Sequence, residues 1–213
     1  MLPSDGQMQE PLGFEPAEIR LLADRAFFTA KARIGRRIRS TLERLRALLQ
    51  DEVSRTALLV PPGFEPTKSQ LVKGEHLEAC PYQYLDYPKH FAGDETFTFR
   101  TLVWWGHHVA CAWLLGGRLA PMYKQRLIDR YQDLAGQNLE LSLAPTLWEW
   151  KRGEGYTLPL LSSSRAQAAA VLERRTSIKI AKFVPLDDPS LQDGRLAEAG
   201  CEAFRRLLPL VLE

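Results

Sequence analysis

The run Thr96-Phe97-Thr98-Phe99-Arg100-Thr101-Leu102-Val103-Trp104-Trp105 decides the fold of this chain. Polar and apolar residues alternate as far as Arg100, as on a strand with one solvated face, and the run becomes wholly apolar from Leu102. Working outward, Tyr82 to Tyr87 and His107 to Leu115 have the same strand character, and Gly116-Gly117 closes the second of them. Asn138 to Leu143 is a further short strand. Leu147 to Lys151 and Tyr156 to Leu160 flank Arg152-Gly153-Glu154-Gly155, which reads as a hairpin turn, and Ser177 to Val184 adds a last strand. Short links between strand runs predict an α+β fold, a mostly antiparallel sheet packed by helices.

Helical spacing accounts for the remaining segments. From Pro16 to Arg55 there is no further proline and Gly35 is the only glycine, while Ile19, Leu22, Phe27, Ile34, Ile38, Leu42, Leu45 and Leu49 recur every three or four residues. One long helix and two consecutive helices fit this pattern equally well. Pro61, Pro62, Gly63 and Pro66 end it, and PLGFEP at 11–16 recurs there as PPGFEP at 61–66. Pro121 to Ala135, Ser164 to Arg174 and a stretch within Pro189 to Leu208 predict helices packed on the sheet. The expected organisation is a flexible N-terminus at 1–15, a basic helical region at 16–56 and the α+β domain at 57–213, forming one unit with the helices.

Bulk properties narrow the function classes. The 213 residues support one sizeable core, and 28 basic against 26 acidic side chains give a net charge of +2, too balanced to indicate nucleic acid or membrane from the total. Cys80, Cys111 and Cys201 form no CxxC pair, and the first residues carry neither a basic nor an apolar leader segment, so a reduced, cytoplasmic setting is expected. Thr101 to Gly117 is interrupted by Gly106, His107 and His108 and falls short of the roughly 20 apolar residues that span a bilayer. No membrane is expected as a partner.

The chain has no GxGxxG, GxxxxGK[ST], GxSxG or HExxH motif. His76, Cys80, His107, His108 and Cys111 are its only His/Cys grouping, and their spacing matches no zinc motif. His76-Leu-Glu-Ala-Cys80-Pro81 has the HxE and PC elements of zinc deaminases without the later PCxxC pair. No metal site and no cofactor is predicted.

Two regions remain as candidates. In Pro81-Tyr-Gln-Tyr-Leu-Asp-Tyr-Pro88 an extended backbone places Tyr82, Tyr84 and Asp86 on one face. With Arg100, Trp104, Trp105 and His107 they could line an aromatic pocket, in which Asp86, Arg100 and His107 are the candidate catalytic groups and Tyr82, Tyr84, Trp104 and Trp105 the ligand-binding ones. Trp148 and Trp150 alternate in the same way, and core packing is the expected use of both. The second region is the basic helix, where Arg33, Arg36, Arg37 and Arg39 are the candidate partner-binding residues.

The segments ACPYQYLDYPKHF and ETFTFRTLVWWGHH resemble an uncharacterised bacterial protein family with PYxxLDYP and FxxRTxxWWG segments. That likeness covers roughly residues 75–117. SIKIAKFVPLDDP with the terminal FRRLLPL is similar in layout to the YktB-like bacterial family. The resemblance implies a bacterial, cytosolic α+β domain and brings no reaction or catalytic residue with it. The leading expectation is therefore a noncatalytic binding or adaptor domain that engages a protein partner or itself. An enzyme or small-ligand-binding protein built on Asp86, Arg100 and His107 is the alternative, and nucleic-acid binding through the basic helices is a third reading.

Overall fold

Alternation along Glu95–Trp104 sends Phe97, Phe99 and Val103 to one side of a sheet and Thr98, Arg100, Leu102 and Trp104 to the other. The computed structural model, which describes residues 12–213, builds seven strands outward from this one. They are β1 (Gln70–Leu77), β2 (Cys80–Ala92), β3 (Glu95–Trp104), β4 (His108–Gly116), β5 (Leu139–Ser142), β6 (Thr157–Pro159) and β7 (Ser177–Pro185). The sheet order is β1-β2-β3-β4-β7-β5-β6, and every neighbouring pair is antiparallel. The helices are α1 (Pro16–Leu22), α2 (Arg25–Ser54), α3 (Ala120–Asp129), α4 (Tyr131–Leu134), α5 (Arg165–Glu173), α6 (Pro189–Gln192) and α7 (Leu196–Leu207). The fold is α+β. Of the expected flexible N-terminus, residues 1–11 lie outside the described residues.

The chain divides into two units between Arg37 and Ile38. The second unit holds the sheet and its core. Leu42, Leu45, Leu49 and Val53 of α2 share one buried face, and α7 packs so closely against it that a Cβ added to Gly200 would lie 2.9 Å from a Leu45 methyl. On the sheet side of this layer Trp113 meets Phe97, Phe99 and Phe204 in tilted or edge-on contacts, Phe99 meets Phe204 edge-on and Phe97 meets Tyr123 at a tilt. In the first unit no described residue is buried. Among the described residues no helix is long and apolar enough to cross a membrane.

Several boundaries differ from the sequence reading. β1 was not anticipated, and it makes β2 an internal strand. The 121–135 helix is two, breaking at Arg130, and the last helical stretch is likewise divided between α6 and α7. Ser164 precedes α5 without capping it through its side chain. The hairpin expected from Leu147–Lys151 and Tyr156–Leu160 is formed instead by β5 with β6, because Leu141 pairs with Leu158 and Ser142 with Thr157. Residues 143–156, with Trp148 and Trp150, are an irregular strap rather than a strand.

A candidate ligand cleft on the second face of the sheet

The face of the sheet opposite the helices is unevenly filled. Ala110 and Ala112 of β4 and Ala181 of β7 are small, and the buried Trp150 packs among them with Leu102, Trp104 and Phe183. Trp150 reaches this position because side chains hold the strap across the sheet. The Lys179 ammonium donates to the carbonyls of Leu147 (3.2 Å) and Glu149, and it lies 4.3 Å from the Trp150 ring centroid. His108 donates from Nε2 to the Trp150 carbonyl at 3.1 Å. Arg152 pairs with the buried Glu140 at 2.7 Å, Arg175 donates to the Leu143 carbonyl, and Lys151 pairs with Glu78. Burial pulls Lys179 down to about 8 and His108 down to about 4, the bond to Trp150 only partly opposing the latter.

Between the strap and β2 lies an open cleft of about 540 Å³. Its floor is an ion pair: Arg100 donates from Nε and from one terminal nitrogen to the two Asp86 oxygens, each at 2.7 Å, with both side chains buried. These residues are directly paired on β3 and β2, which fixes the fork against the carboxylate. The guanidinium carbon sits 3.8 Å from the Tyr84 ring centroid, 5.2 Å from Trp148 and 5.7 Å from Trp150, within cation–π range of all three. Burial raises the Asp86 carboxyl above its ordinary range. The two hydrogen bonds from Arg100 and its charge oppose this shift only in part. Desolvation likewise raises the Tyr84 phenol.

The walls follow from the register of β2. Tyr82 and Tyr84 stand on one face with rings parallel and 6.2 Å apart, and Tyr82 lies over Gly74 of β1, where an added Cβ would sit 2.3 Å from its ring. Strict alternation would turn Lys89 and Phe91 to the helix side. The pairing instead slips between Asp86 and Lys89, so that Asp86 faces Arg100 and Lys89 faces Thr98, with the cis Tyr87-Pro88 peptide at the slip. This bulge returns Lys89 and Phe91 to the face of Asp86, and both line the cleft. Phe91 meets Trp148 at a centroid distance of 6.0 Å, and Trp148 remains 52% exposed.

The structure thus brings together Tyr82, Tyr84, Asp86 and Arg100 and leaves other candidates elsewhere. His107 lies in the turn between β3 and β4, exposed and stacked on Trp104 at 3.6 Å, and does not line the cleft. Trp104 is buried with its indole nitrogen donating to the Leu77 carbonyl, and Trp105 is a half-buried turn residue; neither lines the cleft. Arg33, Arg36, Arg37 and Arg39 are exposed on α2, the last bonded to Glu43 at 2.9 Å. Cys111 is buried, and desolvation pushes its thiol up to about 11. Among the described residues no cluster of three or more His, Cys, Asp or Glu is placed to hold a metal ion. Lys89, Phe91 and the lining role of Trp148 were missed in the sequence. The signal for the first two was the Tyr87-Pro88 step, where a proline inside a strand run marks a bulge. No family model, curated protein or solved structure matches the chain.

Proposed function

We propose that this chain is a noncatalytic binding protein whose cleft takes a small molecule with a flat aromatic ring and an anionic group. The observation that carries the reading is the convergence of Tyr82, Tyr84, Trp148 and Trp150 around the Asp86–Arg100 pair in one open cavity. Open aromatic walls beside an ordered polar floor are the usual make-up of a small-ligand site. Trp148 and Phe91 offer ring faces to a planar group. Asp86 and Arg100 cancel in charge, so Lys89 on the rim leaves the lining one positive charge in excess, which favours an anion. Catalysis is not favoured, because the Asp86 carboxylate is committed to Arg100 and His107, the base expected beside it, lies elsewhere.

The reading is tested by thermal-shift screening with aromatic carboxylates, aromatic phosphates and their uncharged isosteres, followed by titration of tryptophan fluorescence. The expected result is a saturable Tm increase with the anions alone, abolished in Trp148→Ala and weakened at least about tenfold in Lys89→Ala, since losing one hydrogen-bonded charge contact costs roughly 1.5–3 kcal/mol. Binding that is indifferent to both substitutions, or no shift across the series, would overturn it.

A further inference from the structure

The first half of α2 has a face that the sheet does not account for. Between Arg25 and Leu42 the helix carries six bases, Arg25, Lys31, Arg33, Arg36, Arg37 and Arg39, and no acid. At about 100° per residue, Phe27, Ile34 and Ile38 fall on the same helix face as Leu42, Leu45 and Leu49. From Leu42 onward this stripe is buried. Before it, Phe27 is 50%, Phe28 47% and Ile34 40% exposed, and α1 adds the exposed Ile19, Leu21 and Leu22. On the same wheel Arg37 and Arg39 border the stripe roughly 100° to either side, and Arg25, Arg33 and Arg36 lie on the opposite face.

We propose that this half of α2 lies on an anionic lipid surface, with Phe27, Phe28 and Ile34 entering the acyl boundary and the flanking Arg37 and Arg39 meeting the headgroups. Charge selects this occupant. A second copy would set six bases against six. A nucleic acid would engage the arginines and leave the phenylalanines in water. A groove on an acidic protein would have to bury Lys31, which sits within the stripe one turn after Phe27. Phe27 and Phe28 diverge by about 100° around the helix, a breadth suited to an interface plane rather than a narrow seam. The expectation of no membrane partner rested on the lack of a spanning segment, and a surface helix needs none.

The experiment is cosedimentation of the full chain with phosphatidylcholine vesicles, with and without phosphatidylglycerol, at low and high salt. Expected is binding to the phosphatidylglycerol vesicles alone, lost at high salt, and lowered about tenfold or more in Arg37→Ala/Arg39→Ala, which removes the two bases beside the stripe, given the gain from each base near an anionic surface. Phe27→Ser/Phe28→Ser is expected to abolish it. These side chains are exposed, so far-ultraviolet circular dichroism of both variants should match the parent. Absence of binding, equal binding to phosphatidylcholine, or full binding by the phenylalanine variant overturns the proposal. The last result would mark a general polyanion patch. A dimer in analytical ultracentrifugation that Phe27→Ser/Phe28→Ser dissociates, without vesicle binding, overturns it in favour of a second copy.

Discussion

Deleting the Asp86 carboxylate leaves the Arg100 guanidinium under three aromatic rings without its counter-charge. The pair is buried and bidentate, so losing one partner strands a charge that is largely shielded from water. Asp86→Ala is therefore expected to lower the unfolding free energy by about 3–5 kcal/mol, read as a drop in denaturant midpoint at constant m-value. Asp86→Leu/Arg100→Met, which removes both charges, is expected to recover most of that loss; a double variant as unstable as the single one would show that the pair is not what holds the site. At this scale the sequence was partly legible. Tyr82, Tyr84 and Asp86 could be set on one face by alternation alone, and Arg100 lies opposite Asp86 in a register that follows from pairing the two strands. His107 could not be placed, because β4 begins one residue later and the turn sends its ring onto Trp104.

The strap at 143–156 shows where element-level reading stops. Trp148-Glu149-Trp150 alternates like a strand, yet the carbonyls of Leu147, Glu149 and Trp150 are bonded by Lys179 and His108 side chains instead of a neighbouring strand. Periodicity reports which side a residue faces and is blind to a backbone held by side chains from elsewhere. β1 was missed for another reason. As an edge strand it carries Lys73, Gly74 and Glu75, which blunt its alternation and its pairing edge alike. The long apolar strands β3 and β4 were legible because both faces are buried. His108 makes the hold on the strap pH-dependent. Its folded value is about 4 against 6.5 unfolded, so between these the unfolded chain binds a proton that the folded chain refuses. Its contribution is whole above pH 6.5 and is lost as pH falls toward about 4, a difference of at most about 3 kcal/mol. His108→Gln, which keeps a donor for Trp150 but does not titrate, should flatten the fall in denaturant midpoint across that window; a slope equal to the parent's would exclude His108 as its source.

For the whole molecule, a net charge of +2 conceals a strong segregation, since six of the 28 bases lie on the acid-free first part of α2. That region is the one from which the core is absent: the buried cluster begins at Leu42, and the division between units falls just before it. Residues 38–213 hold all seven strands, the cleft and every buried residue of α2, and are therefore expected to fold alone. A chain beginning at Ile38 should unfold cooperatively with a Tm within about 4 °C of the full chain, the shift that roughly 1 kcal/mol produces at this size. It should also keep the native near-ultraviolet signal of its buried tryptophans. Loss of cooperative unfolding would mean that residues before Ile38 complete the core, and the exposed phenylalanines would then be structural groups. If the truncated chain folds, it separates the two proposed activities, because an aromatic anion should still raise its Tm while phosphatidylglycerol vesicles no longer retain it. Vesicle binding that survives the truncation would move the lipid-facing surface away from α2, whatever the cleft binds.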